Sequence, residues 1–316
     1  MQFRTQIPIS NNNYPINYNS KIISLGSCFA ENISDKLDYF KFQNNVNPFG
    51  IIFNTASLEK IIRRVILNDI FTEKDIFFHN DRWNCYEVHS DLSNLNKNEL
   101  LQNLNSILKS TNKQITESTH IIITLGTAWI YKNIDNKEIV ANCHKVPQKQ
   151  FTKELLSIES IQENLENIIS LISSVNKSAK FIFTISPVRH IKDGFVENTL
   201  SKAHLITALH SFIKNSPTAS YFPSYEVIMD ELRDYRFYNQ DMLHPNQIAI
   251  DYIWERFLEN HIDPKEFPIM QQVCDIQKAL HHKPFNIESK SHQQFLLKLQ
   301  NKIMLLEEKF PQINFR

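Results

Sequence analysis

Three apolar runs punctuate the chain: Lys21–Leu25 (KIISL), His120–Leu125 (HIIITL) and Lys180–Ile185 (KFIFTI). Each is rich in β-branched or aromatic residues, and each stops at a turn signal: Gly26-Ser27, Gly126-Thr127 and Ser186-Pro187. Runs of that length without polar alternation suit strands buried on both faces of a parallel sheet. Between them the apolar positions recur at three and four residues, the period of a helix face. Phe29, Ile33, Leu37 and Phe40 follow that spacing, and so do Leu58, Ile61, Ile62 and Val65 within Ala56–Leu67. Further helices are expected at Glu99–Leu108, Ile158–Val175 and Asn198–Ile213, and from Pro245 to about Glu259. Phe42–Val46 and Ala219–Phe222 read as short strands. Phe71–Ser90 reads as an aromatic loop insertion with a short hairpin, and the stretches Trp129–Tyr131 and Glu138–Ala141 as a second hairpin.

Strands alternating with helices imply right-handed crossovers and a parallel sheet covered on both faces. After Pro264 the pattern is helical only, at Met270–Leu280 and His292–Phe310. The expected organisation is an N-terminal arm (1–20), an α/β domain (21–262) and a helical C-terminal extension (263–316). The extension can cap the domain or pair two copies into a homodimer.

Composition narrows the function. The chain of 316 residues carries Lys+Arg 34 against Asp+Glu 34. No basic excess exists to neutralise a phosphate backbone, so nucleic acid is not an expected partner. No apolar run approaches the ~20 residues of a membrane span. Met1–Tyr18 is polar and Asn-rich and resembles no secretory signal. Cys28, Cys85, Cys143 and Cys274 are far apart and form no CxxC, which suits a reducing cytoplasm. Only 4 glycines occur, where average usage would give about 22. Gly26 and Gly126 close two of the strands, Gly50 follows Asn47-Pro48-Phe49, and Gly194 sits in the turn Lys192-Asp193-Gly194.

Ligands of a doubly wound sheet sit at the carboxyl ends of its strands. Ser27 falls there, on a strand-to-helix turn. Its hydroxyl is a nucleophile candidate, with backbone N–H groups and the positive helix end beside it for a developing oxyanion. An N-cap serine explains the position equally well. Cys28 is the rival nucleophile. Asp241-Met242-Leu243-His244 precedes the helix opening near Pro245. An Asp three residues before a His can hold imidazole Nδ1 and leave Nε2 free as a base. The chain order is then Ser…Asp…His. Clustered Asp and His ligands for metal-dependent phosphoester hydrolysis are lacking, so no metal or organic cofactor is expected.

At this point the motifs resemble a known family. Gly26-Ser27-Cys28-Phe29-Ala30, Asn47-Pro48-Phe49-Gly50, Thr124-Leu125-Gly126-Thr127-Ala128-Trp129, Asn142-Cys143-His144-Lys145-Val146-Pro147, Ser186-Pro187-Val188-Arg189-His190 and Asp241-x-x-His244-Pro245 stand in order along the chain. Together they resemble the GSCFA family of the SGNH (GDSL-like) hydrolase superfamily. The resemblance implies a three-layer α/β/α, flavodoxin-like fold and ester hydrolysis by a Ser-His-Asp triad. Ser27 would be the nucleophile, His244 the base and Asp241 its orienter. The backbone N–H groups of Ser27 and Gly50 would form the oxyanion hole. The superfamily's usual Asn after the third-block glycine is absent, since Gly126 is followed by Thr127. Thr127, Trp129, Asn142 and His144 are the candidates to replace it.

Asn47, Trp129, His144 and Arg189 are the expected substrate contacts, and this polar, aromatic rim favours an O-acylated sugar or small polar metabolite. Arg189 can hold an anionic or hydroxyl group, or pair with Asp193 or Glu197. The alternatives to a hydrolase are an O-acyltransferase and a non-catalytic carbohydrate- or partner-binding module on a degenerate SGNH fold.

Overall fold

The computed structural model describes residues 5–10 and 12–315. Of the expected arm, residues 1–4 and 11 lie outside that range, as does 316 of the extension. The chain opens with β1 (Lys21–Gly26), α1 (Cys28–Tyr39), β2 (Gln43–Val46) and α2 (Thr55–Ile66). A hairpin of β3 (Ile76–His79) and β4 (Arg82–Cys85) leads to α3 (Lys97–Glu117) and β5 (His120–Leu125). Next come β6 (Trp129–Asn133), β7 (Ile139–Val140), β8 (Phe151–Leu155), α4 (Ile158–Val175), β9 (Lys180–Ile185) and α5 (Phe195–Ile213). The last elements are β10 (Ala219–Phe222), the single turn α6 (Ser224–Glu226), α7 (Gln247–His261), α8 (Phe267–Leu280) and α9 (Lys290–Lys309).

The central sheet has the order β10-β9-β5-β1-β2, and every pairing in it is parallel. This is the flavodoxin-like winding, whose direction reverses between β1 and β5. Successive strand residues face opposite sides. Ile23, Ile121, Ile123, Phe181 and Phe183 point into one core, which α2, α3, α4 and α5 cover with Leu58, Leu104, Leu165 and Leu205. Ile22, Ile122, Ile182 and Phe222 point into the other, covered by Phe29, Ile33 and Leu37 of α1 and by Ile253 and Phe257 of α7. The result is a three-layer α/β/α fold.

The C-terminal helices belong to the second core. Met270, Val273 and Ile276 of α8 and Leu299 and Leu306 of α9 are buried in it. The arm packs there too: Ile16 bridges to Ile262, and Tyr18 stacks on Phe42 with ring centroids 4.4 Å apart.

Two elements exceed the sequence expectation. The helix expected over 99–108 runs on to Glu117, because Thr111 and Ile115 continue the buried face of Leu100, Leu104 and Leu108. The hairpin at Trp129 gains a third strand, β8, giving the order β7-β6-β8. The strand forms around buried Phe151, with exposed residues alternating along it.

Candidate active site at the carboxyl edge of the sheet

The site begins where β1 ends. Gly26 has φ +132°, and a Cβ there would lie 2.1 Å from the carbonyl oxygen of Thr124 on β5. Only glycine permits that approach. The chain then turns into α1, and Ser27 caps it: Ser27 Oγ accepts the Phe29 N–H at 3.3 Å. Ser27 is buried, and its own N–H donates to Thr124 O at 3.0 Å. Both sequence readings of Ser27 therefore meet in one residue, an N-cap whose hydroxyl stands at a helix N-terminus. Burial and the neighbouring Glu31 carboxylate push the Cys28 thiol up, which keeps its nucleophilic thiolate scarce.

Asn47 braces this turn. Its Oδ1 accepts the Gly26 N–H at 2.8 Å and its Nδ2 donates to Glu31 at 3.4 Å. Asn47 has φ 42°, the left-handed region that asparagine tolerates better than most residues. Its carbonyl accepts the Gly50 N–H at 2.7 Å. The residue expected to touch substrate is thus bound into the scaffold beneath the turn.

The loop after β10 carries the acid–base pair. His244 Nδ1 lies 2.6 Å from Asp241 Oδ2, while Asp241 Oδ1 accepts the N–H groups of Leu243 and His244. These hydrogen bonds hold the Asp241 carboxyl down at about 2, so it is ionised at any working pH. The pair is half-exposed, and His244 Nε2 is not hydrogen-bonded to Ser27. A bridge between Tyr238 and Pro245 closes the loop, and Asn246 caps α7 behind it.

The other expected residues are distributed as follows. Thr127 Oγ1 pairs with Ser201 Oγ at 2.9 Å and accepts the Trp129 N–H. The Trp129 indole donates to Glu197 O at 3.2 Å, and Lys153 sits over its ring. Asn142 Oδ1 accepts the His144 N–H, and His144 Nε2 lies 2.7 Å from Cys85 O, in the small aromatic core around Phe77 and Tyr86. Asn142 and His144 therefore pack against β4 and make no contact with Ser27. Arg189 has no carboxylate partner among the described residues, because Asp193 is held by Lys153. Its guanidinium lies over the Tyr238 ring at 5.5 Å and lines a cavity of about 140 Å3 beside the Asp241–His244 loop.

Two further residues stand at this edge: Lys202, which was not read from the sequence, and His190, which the sequence placed in a motif without a role. Lys202 of α5 is fully buried and donates to Gly126 O and Ser186 O, each at 2.7 Å. It ties the ends of β5 and β9 together without a carboxylate, and burial brings its amine down to about 7. Its inward position was legible in the spacing of Asn198, Ser201, Lys202, Leu205 and Leu209, but lysine is the least expected residue there. His190 stacks on Phe53 with centroids 5.1 Å apart, beside Gly126. Its signal was its place at a strand's carboxyl end. Among the described residues no three His, Cys, Asp or Glu side chains are grouped to hold a metal ion, and no helix is long and apolar enough to cross a membrane.

Comparison with known proteins fixes the family. Residues 21–257 match the GSCFA family. The chain belongs to the GSCFA family. Residues 273–316 match a second description, GSCFA domain protein, C-terminal domain. The solved structures similar to this GSCFA chain include a Clostridium thermocellum family 3 carbohydrate esterase. It is 9% identical with a TM-score of 0.34, over 83% of this chain and 99% of that one. No curated protein matches.

Proposed function

We propose that this GSCFA protein is a serine ester hydrolase acting on an O-acylated sugar or small polar metabolite. The observation that carries the reading is the Asp241–His244 pair, formed at 2.6 Å on the loop following a strand parallel to the one that delivers Ser27. His244 Nε2 takes the Ser27 proton as Oγ attacks the ester carbonyl. The tetrahedral intermediate collapses to an acyl-enzyme, and the alcohol leaves with that proton. Water then enters through the same base and frees the acid. A sugar or metabolite hydroxyl in place of water would make the protein an O-acyltransferase. Arg189 and the Tyr238 ring are the groups that would meet the polar end of the substrate.

The domain limits, 21–262 with a helical extension, belong to the same proposal. One observation favours a second reading, a non-catalytic binding module: the Ser27 and Gly50 N–H groups donate within the scaffold, to Thr124 O and Asn47 O. Hydrolysis of p-nitrophenyl acetate by the wild type and by Ser27→Ala separates the two. The hydrolase reading expects turnover that disappears with the hydroxyl. Turnover that survives Ser27→Ala, or none in either protein, favours the module.

A further inference from the structure

An ester hydrolase needs donors for the oxygen of its tetrahedral intermediate. The donors expected here are engaged elsewhere: Ser27 N–H with Thr124 O, Gly50 N–H with Asn47 O, and the Trp129 indole with Glu197 O. Thr127 Oγ1 is taken up by Ser201 and the Trp129 N–H, and His144 lies against Cys85.

Two buried nitrogens at the end of β9 have no hydrogen-bond partner, Arg189 Nε and His190 Nε2. His190 Nε2 is enclosed and makes no hydrogen bond. It stands over the end of β5, where a Cβ added to Gly126 would come within 3.2 Å of it. Gly126 is not in the left-handed region, so its lack of a side chain is explained by space for Phe53 and this imidazole. The end of β5 lies directly beside the Gly26–Ser27 turn of β1. The His190 ring is held on one face and its backbone is anchored. It stacks on Phe53 with an interplanar angle of 21°, and its backbone N–H donates to Asn198 Oδ1 at 2.9 Å. Of the two unpartnered nitrogens, His190 Nε2 is the one at the Gly126 end of β5, and a buried polar atom without a partner calls for an occupant.

We propose that His190 Nε2–H is the donor that replaces the absent amide, binding the oxyanion formed on Ser27. This rests on the ester-hydrolase reading. The chemistry requires a neutral ring, because a neutral imidazole donates a hydrogen bond without giving up its proton. The titratable groups that act on His190 are Lys202, Asp193 and His244. Burial and the Lys202 ammonium, itself fixed on Gly126 O and Ser186 O, bring the imidazole down to about 4. A neutral ring keeps a single N–H, which the proposal places on Nε2, while the Ser27 proton travels through His244. Lys202 acts as a positioning residue, and His190 touches the reacting oxygen.

The test compares His190→Phe, which keeps the stacking shape and loses the donor, with His190→Gln, which restores a donor of similar reach. On p-nitrophenyl acetate the Phe variant should lose kcat by ~10²-fold with KM little changed, and the Gln variant should recover most of it. A folded Phe variant with wild-type kcat overturns the assignment. Ser27→Ala, measured alongside, reports separately on the hydrolase reading, since turnover that survives it rejects that reading. A second measurement needs no turnover. Ser27 is phosphonylated with a fluorophosphonate, whose oxygen occupies the oxyanion position, and the His190 ring nitrogens are followed by 15N NMR. A downfield Nε2 proton appearing in the adduct supports the proposal. A His190 resonance unmoved in a labelled protein overturns it. If neither turnover nor label at Ser27 is found, the hydrolase reading fails and this proposal with it.

Discussion

Asn47 Oδ1 accepts the backbone N–H of Gly26 at 2.8 Å, so the residue after β2 sets the exit angle of β1. The turn that presents Ser27 hangs on a side chain twenty-one positions later in the chain. Asn47→Ala leaves the buried Gly26 N–H without a partner, which should cost about 1–3 kcal/mol. Urea unfolding measures that loss. The variant should also show lower kcat, because Asn47 shapes the turn that presents Ser27.

Gly26→Ala should be more damaging. Its Cβ would lie 2.1 Å from Thr124 O at a φ of +132°, forcing β1 and β5 apart where the site is built. A loss of more than about 3 kcal/mol, or failure to fold, is expected from backbone strain of this kind. Gly194→Ala serves as the comparison. It shares a positive φ, but the nearest atom is the end of the flexible Glu197 side chain, so thermal unfolding should shift less.

The three central strands were legible in the sequence because each is buried on both faces and stops at a turn residue. The places of Ser27 at the end of β1 and of Asp241 and His244 before α7 were legible from the turn residues around them, and their catalytic roles belong to the proposal. Asn47 was legible as a polar residue at a strand end, but its partner was not. A hydrogen bond to a backbone N–H twenty-one residues away leaves no mark in residue spacing. Lys202 escaped for a different reason: a cation on an inward helix face contradicts the hydrophobic pattern, and only the two carbonyls it meets account for it. Asn142 and His144 follow a hairpin whose direction is set by the pairing of β6 with β8 and by backbone bonds from Ala141 and Asn142 to the Tyr86 carbonyl, a tertiary outcome that the local sequence does not encode.

Lys202 predicts a pH dependence. In the unfolded chain its amine takes up a proton below about 10.5, and in the fold only below about 7. Between those values the unfolded state binds more protons, so the Lys202 contribution to stability rises with pH across the window and is flat below it. Lys202→Met removes that dependence and orphans Gly126 O and Ser186 O. Urea unfolding of both proteins should show the wild type gaining on the variant as the pH is raised from 7 to 9.5. A constant difference over that range would remove the depressed amine from the account.

Asp241→Asn keeps the size of the side chain but offers His244 Nδ1 an amide in place of a carboxylate. The tautomer with Nε2 free to accept a proton is then no longer favoured, and turnover of p-nitrophenyl acetate should fall by ~10²–10⁴-fold. Circular dichroism should be unchanged, because the pair is half-exposed at the surface.

The central claim is that Ser27 is the nucleophile, and the most direct measurement is the position of a covalent label. Wild-type protein is treated with a fluorophosphonate probe, digested and mapped by mass spectrometry, beside Ser27→Ala and His244→Ala. Labelling of Ser27 in the wild type, its absence in Ser27→Ala and a marked slowing in His244→Ala are the predicted results. A label on any other serine, or an unlabelled wild type, would contradict the account.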